Sequence, residues 1–198
     1  MFLSSSCGLL QRFMLAPAVA LLLCGMASAQ GVLVSPPRPT GPPANALSSA
    51  ATNIGLKRCL PALERLSSLA VQGSRSHDVL LDWDRKRGDA SPIFSMLGVE
   101  YPNAGAAMSI TAIPEADGAC SVSAERISVA PFTCQSVAQQ ELVGYQATRL
   151  LPNFVVYTDS KDRSSSVSLI DSPPGCLVIR RFVAFGWKAP IATGPFPR

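Results

Sequence analysis

Six cysteines, one histidine and a small set of carboxylates are the side chains with chemistry to offer in this 198-residue chain. Cys59, Cys120, Cys134 and Cys176 stand 61, 14 and 42 residues apart. That spacing fits neither a zinc finger nor a Cys-x-x-Cys redox pair. An even set of cysteines spread over a small chain reads as two disulfides, provided the compartment is oxidising. Four cysteines allow three connectivities. Cys120–Cys134 with Cys59–Cys176 is the preferred pattern. Its first bridge closes a loop of about 15 residues, contributing roughly 3 kcal/mol in the chain-entropy picture, and requires the chain to double back near Pro131. Its second would staple a helix to the last strand. Cys59–Cys134 with Cys120–Cys176 ranks second.

His77 is the only histidine, which excludes any site built on two imidazoles. It stands beside Asp78, with Asp82, Asp84 and Asp89 following. A small hydrolase using His77 with Asp78 or Asp82 is the one catalytic arrangement on offer. No Gly-x-Ser-x-Gly elbow accompanies it. The acids lack the Asp-x-Asp-x-Asp-Gly order of a calcium loop, and Arg85-Lys86-Arg87 would repel a metal ion. They read instead as a solvated strand edge and turn. No phosphate loop or dinucleotide fingerprint occurs. Neither a metal nor a cofactor is expected.

The oxidising compartment rests on the N-terminus. Arg12 precedes an apolar run from Phe13 to Leu23, and Gly25-Met26-Ala27-Ser28-Ala29 follows. A basic start, a short apolar core and a small-x-small site describe a secretory signal cleaved after Ala29. The core is near 11 residues, whereas a membrane span needs about 20. Leu21-Leu22-Leu23-Cys24 resembles a bacterial lipoprotein box, in which the cysteine is acylated. Leu23 departs from the Gly, Ala or Ser that the box carries before its cysteine. A membrane association would follow only from an uncleaved signal or from lipidation at Cys24. The expected location is periplasmic or secreted, in a bacterium.

Arg12 is the only charged side chain in residues 1–29, so 16 basic and 13 acidic side chains remain beyond them. The excess is small and scattered, unlike the clustered footprint of a nucleic-acid binder. The remaining length suits one domain.

The elements that must hold these residues follow in order. Residues 30–52 carry five prolines between Pro36 and Pro43, which favours an extended tether over helix or ladder. Leu56, Leu60, Leu63, Leu66 and Leu69 recur at spacings of three and four, the mark of an amphipathic helix. Pro61 either opens that helix or kinks a longer one begun near Asn53. Gly73 stops it. The period then falls to two. Strands are expected at 78–83, 93–101, 106–113, 120–129, 154–158, 167–170 and 176–185, with a short helix at 136–142 and irregular chain at 144–152. The alternation slips between Ala124 and Ile127, which suggests a bulge near Glu125-Arg126. No internal repeat is evident.

The expected fold is therefore α+β. One N-terminal amphipathic helix packs on a mainly antiparallel sheet of about five to seven short strands, pinned by two disulfides. The foldable domain spans 53–187 and residues 188–198 form a tail. Export, tether and the thin catalytic inventory together favour a non-enzymatic accessory or protein-binding module of the envelope, whose partner is another envelope or secreted protein.

Overall fold

A computed structural model describes residues 45–188. The expected signal, the tether up to residue 44 and the tail from residue 189 lie outside them.

Asn45 opens the first helix, α1 (Ala46–Asn53), its side chain accepting the Ser48 N–H. This cap satisfies one of the helix's orphan donors. Gly55, at φ 82°, lets the chain turn away after the helix. Residues 45–52 were expected to belong to the tether. They fold because Leu47 and Ala51, one turn apart, are completely buried. The leucine-bearing helix, α2 (Leu60–Val71), starts at Pro61 in its first turn, so the proline opens the helix and does not kink it. Its buried stripe is Ala62, Leu63, Leu66, Ser67 and Ala70. Leu60 and Leu69 flank that stripe half-buried, and Leu56 is buried in the loop before it. Small residues at 62, 67 and 70 let the helix lie close on the sheet.

Eight strands follow: β1 (Ser76–Trp83), β2 (Ile93–Tyr101), β3 (Ala104–Pro114), β4 (Cys120–Ala130), β5 (Gln146–Leu151), β6 (Phe154–Asp159), β7 (Asp162–Ser172) and β8 (Gly175–Trp187). A third helix, α3 (Cys134–Glu141), lies between β4 and β5. The strands form one antiparallel sheet in the order β1-β2-β3-β4-β8-β7-β6-β5. The architecture is α+β, but eight strands exceed the five to seven expected. The additional one is β5, placed where irregular chain was expected. All six of its residues are exposed, so no alternation marked it.

The strand order resolves into two four-stranded meanders joined where β4 pairs with β8. Each is preceded by a helix, α2 for β1–β4 and α3 for β5–β8. Each helix is bridged at its first residues to the start of the fourth strand of its own meander. The bridges are Cys59–Cys120 and Cys134–Cys176. Five residues on from Cys120 and from Cys176 stand Glu125 and Arg181, which are direct cross-strand partners. The chain is thus a helix-plus-four-strand unit repeated about a pseudo-twofold axis through the Glu125–Arg181 pair. No repeat is legible in the residues themselves.

Both expected disulfide patterns are therefore corrected. β4 runs unbroken from Cys120 to Ala130, so its ends lie about 33 Å apart at roughly 3.3 Å per residue. Cys134 follows the far end and cannot meet Cys120. Cys176 pairs in register with Ala130, at that same far end, which brings it to Cys134 and away from Cys59. The Cα separations across the actual bridges are 5.8 and 4.9 Å.

All three helices cover one face of the sheet. The larger core joins α1 and α2 to Ile93, Leu97, Met108, Ile110, Val122 and Ala124, and reaches Phe182 and Trp187 of β8. The smaller joins Val137 of α3 and Leu142 to Val167, Leu169, Cys176 and Val178. The expected bulge at Glu125-Arg126 is absent, since the β4–β8 register is continuous from Val122 to Ala130. The register slips instead between Cys120 and Val122, opposite Ala184 and Trp187. The extra residue falls on β8, where Gly186 takes φ 60°, a backbone that costs a residue with a Cβ about 1–2 kcal/mol.

Candidate functional site

The one catalytic arrangement suggested by sequence is taken apart by strand geometry. His77, Val79, Leu81 and Trp83 of β1 lie half-buried on the helix-covered face, while Asp78 and Asp82 are exposed on the other. Successive side chains on a strand point to opposite faces, so neither acid shares a face with His77. The imidazole Nε2 accepts the Ala46 N–H at 3.2 Å, tying the start of α1 to the sheet. Asp84 accepts from the Lys86 backbone and from Arg87 Nε, at 2.8 and 2.7 Å, within its own turn. These donors, the Arg87 guanidinium foremost, hold its carboxyl below the ordinary aspartate range. Asp89 accepts from the backbone N–H groups of Lys57 and Arg58, at 2.8 and 3.0 Å, and so clamps the α1–α2 loop to the β1–β2 turn. Among the described residues no group of three or more His, Cys, Asp or Glu is placed to hold a metal ion.

Cys59, Cys120, Cys134 and Cys176, the other reactive candidates among the described residues, are buried in the two bridges. They position α2 and α3 and offer no thiol.

The internal repeat locates a concave surface that sequence reasoning missed. In the first meander α1 packs against both α2 and β1, completing the cover of its outer strands. In the second meander three residues join β4 to α3, so the described residues hold no counterpart of α1. The corresponding place beside α3 is a groove of about 400 Å³. Its floor is Val155, Tyr157 and Leu169, its helix wall Gln135, Ala138 and Gln139, and its rim Arg149, Asn153 and Asp171. Arg149 Nη1 donates to the Pro152 carbonyl at 2.8 Å, which holds the guanidinium at the rim. An apolar floor with a few polar groups around it is the usual composition of a binding site. The sequence signal for it was the uninterrupted apolar run Phe154-Val155-Val156-Tyr157, which requires both faces of that strand to be apolar.

The opposite face of the sheet carries no element among the described residues. Val129, Leu177, Ile170, Phe154 and Leu151 form one registered apolar row across β4, β8, β7, β6 and β5, with Val129 and Leu151 exposed. Towards β1 the same face carries Leu80, Phe94 and Met96 between Asp78, Asp82 and Glu100. Arg181 and Glu125 pair between the two regions at 3.2 Å.

Among the described residues no helix is long and apolar enough to cross a membrane. No protein-family model, curated protein or solved structure matches the chain.

Proposed function

We propose that this chain is an exported, disulfide-stapled protein-binding module of the bacterial envelope, and that it receives a helical segment of its partner in the groove beside α3. One observation carries this reading. The groove occupies the place that α1 fills in the first meander, where Leu47 and Ala51 of an eight-residue helix are fully buried. A fold that buries an amphipathic helix at one of two equivalent places is shaped to bury one at the other. Helix-in-groove docking is an established mode of peptide recognition, with anchors spaced three or four residues apart. The secretory pattern at residues 1–29 supports export, and the two bridges are compatible with an oxidising compartment.

Val155→Glu places a carboxylate on the groove floor, whereas Val129→Glu adds one to the bare sheet face, where Val129 is 66% exposed. The test is chemical cross-linking of the mature protein in its own envelope fraction. A discrete cross-linked partner should be lost with Val155→Glu and kept with Val129→Glu, both variants retaining a wild-type melting transition. Loss confined to Val129→Glu would move the binding surface to the bare face and sink the groove reading. A partner kept by both variants would sink it too.

A further inference from the structure

We infer that Arg126 and Arg180 form a binding site for an oxyanion, a carboxylate or phosphate group, at the seam between the two helical covers. The two arginines are direct cross-strand partners on the helix-covered face of β4 and β8. Directly opposed side chains have Cβ atoms about 5 Å apart, and like charges so placed repel. The flanking pair on the same face, Ala124 with Phe182, belongs to the larger core. Under the pseudo-twofold that joins the two meanders, Ala124 is the counterpart of Arg180, and Phe182 of Arg126. The fold therefore fills this position with apolar side chains in one copy and with two cations in the other. Sheet packing alone does not call for the arginines.

Their compensation is incomplete. Arg180 is 7% exposed and donates Nη2 to Glu141 at the end of α3. Glu141, seven residues after Cys134, stands where α2 has Leu66, seven after Cys59, so the ion pair too replaces an apolar position. Arg126 is half-buried, with its guanidinium 5.0 Å from the centre of the Tyr101 ring. Its Nε is shut off from solvent with no hydrogen-bond partner among the described residues. Two guanidinium charges thus face one carboxylate. A charge withdrawn from water is costly unless it is paired and hydrogen-bonded. A planar guanidinium matches carboxylate and phosphate oxygens in fork geometry. An oxyanion at this pair balances the second charge.

The test uses the mature protein with both disulfides formed. Inorganic phosphate and acetate are each titrated against chloride at constant ionic strength while the melting temperature is followed. The expected result is a saturable rise with one of them, since a ligand that binds only the folded state stabilises it by mass action. The anion that saturates identifies the class. Arg126→Gln should melt at or above the wild-type temperature in chloride, because it removes the repulsion. It should weaken the apparent anion affinity roughly tenfold or more, as expected for losing a charged hydrogen-bond partner. Arg126→Lys, which keeps the charge and loses the fork, should fall between. Three results would each overturn the site: no saturable response to either anion, an undiminished response in Arg126→Gln, or a lower melting temperature of Arg126→Gln in chloride. The last would make Arg126 a structural partner of Tyr101 and no more.

Discussion

The first meander carries two helices over strands of 8 to 11 residues, and its core reaches into β8 as far as Trp187. The second carries one eight-residue helix, its outer strands are six residues each, and its core holds seven buried side chains. The chain-entropy contribution of the bridges is nearly equal. They close loops of sequence separation 61 and 42, each contributing about 4 kcal/mol in that picture. What differs is the burial beneath them. In the first half the bridge adds to a core that already includes Leu63, Leu66 and Met108. In the second it is a main tie between helix and sheet, and it leaves a groove beside the helix. One plan thus supports a stable half and a half with surface to spare.

The disulfides separate the halves most sharply. Replacing Cys134 and Cys176 together by serine should lower global stability by about 4 kcal/mol. Hydrogen exchange should then show α3 and β5–β6 opening, while α2 and β2–β3 stay protected. Replacing Cys59 and Cys120 should cost a similar total, with exchange rising only at the head of α2. If both double variants opened the same strands, the halves would share one cooperative unit and the comparison would fail.

The same contrast governs what could be read from the residues. Ile93 to Tyr101 was legible as a strand from its apolar members Phe94, Leu97, Val99 and Tyr101, but its facing was not, because Ser95 is buried while Phe94 and Met96 are exposed. β5 was not legible because exposure on both faces leaves no alternation. α1 was hidden by its neighbourhood, a proline-rich stretch ending only a few residues before it. The disulfide pairing needed the strand order, which brings Cys176 beside the end of β4 and which no local pattern encodes. The slip at Glu125-Arg126 was a true signal given a wrong cause. The register there is unbroken, and the anomaly is an arginine facing the covered side of the sheet. The run Phe154 to Tyr157 signalled a strand apolar on both faces, but the groove over it is defined by the helix that the second half lacks, which no local pattern encodes.

A smaller effect tests how α1 belongs to the first half. His77→Ala removes the acceptor of the Ala46 N–H and should cost about 1 kcal/mol, the usual net value of one hydrogen bond. The loss should appear as faster exchange at the start of α1, with α3 unchanged. The variant also bears on the hydrolase alternative: envelope phenotypes and partner cross-linking should persist in it. Loss of either without loss of α1 protection would restore His77 as a candidate for chemistry.

The smallest effects lie in the turns, where the halves keep their carboxylates ionised by different means. In the first, Asp117 is held below the ordinary aspartate value chiefly by the Lys188 ammonium, 2.9 Å away. In the second, Asp162 is held low chiefly by the Ser164 hydroxyl, with Ser165 and backbone N–H groups adding to it against partial burial. A carboxyl whose pKa is lower in the folded state contributes stability that is present above the unfolded value, about 4. That contribution is lost as the pH falls through the folded value. Asp117→Asn and Asp162→Asn should therefore each lower the melting temperature slightly at neutral pH and converge on the wild type in acid. Salt separates them. An exposed ion pair is screened by salt, so the Asp117→Asn difference at neutral pH should shrink at high ionic strength. Hydroxyl and amide donors carry no net charge, so the Asp162→Asn difference should persist. Melting curves of both variants at low and high salt, at neutral pH and near pH 3, decide the point. Equal salt sensitivity would mean that Asp162 also draws on a cation, and the two turns would then be alike.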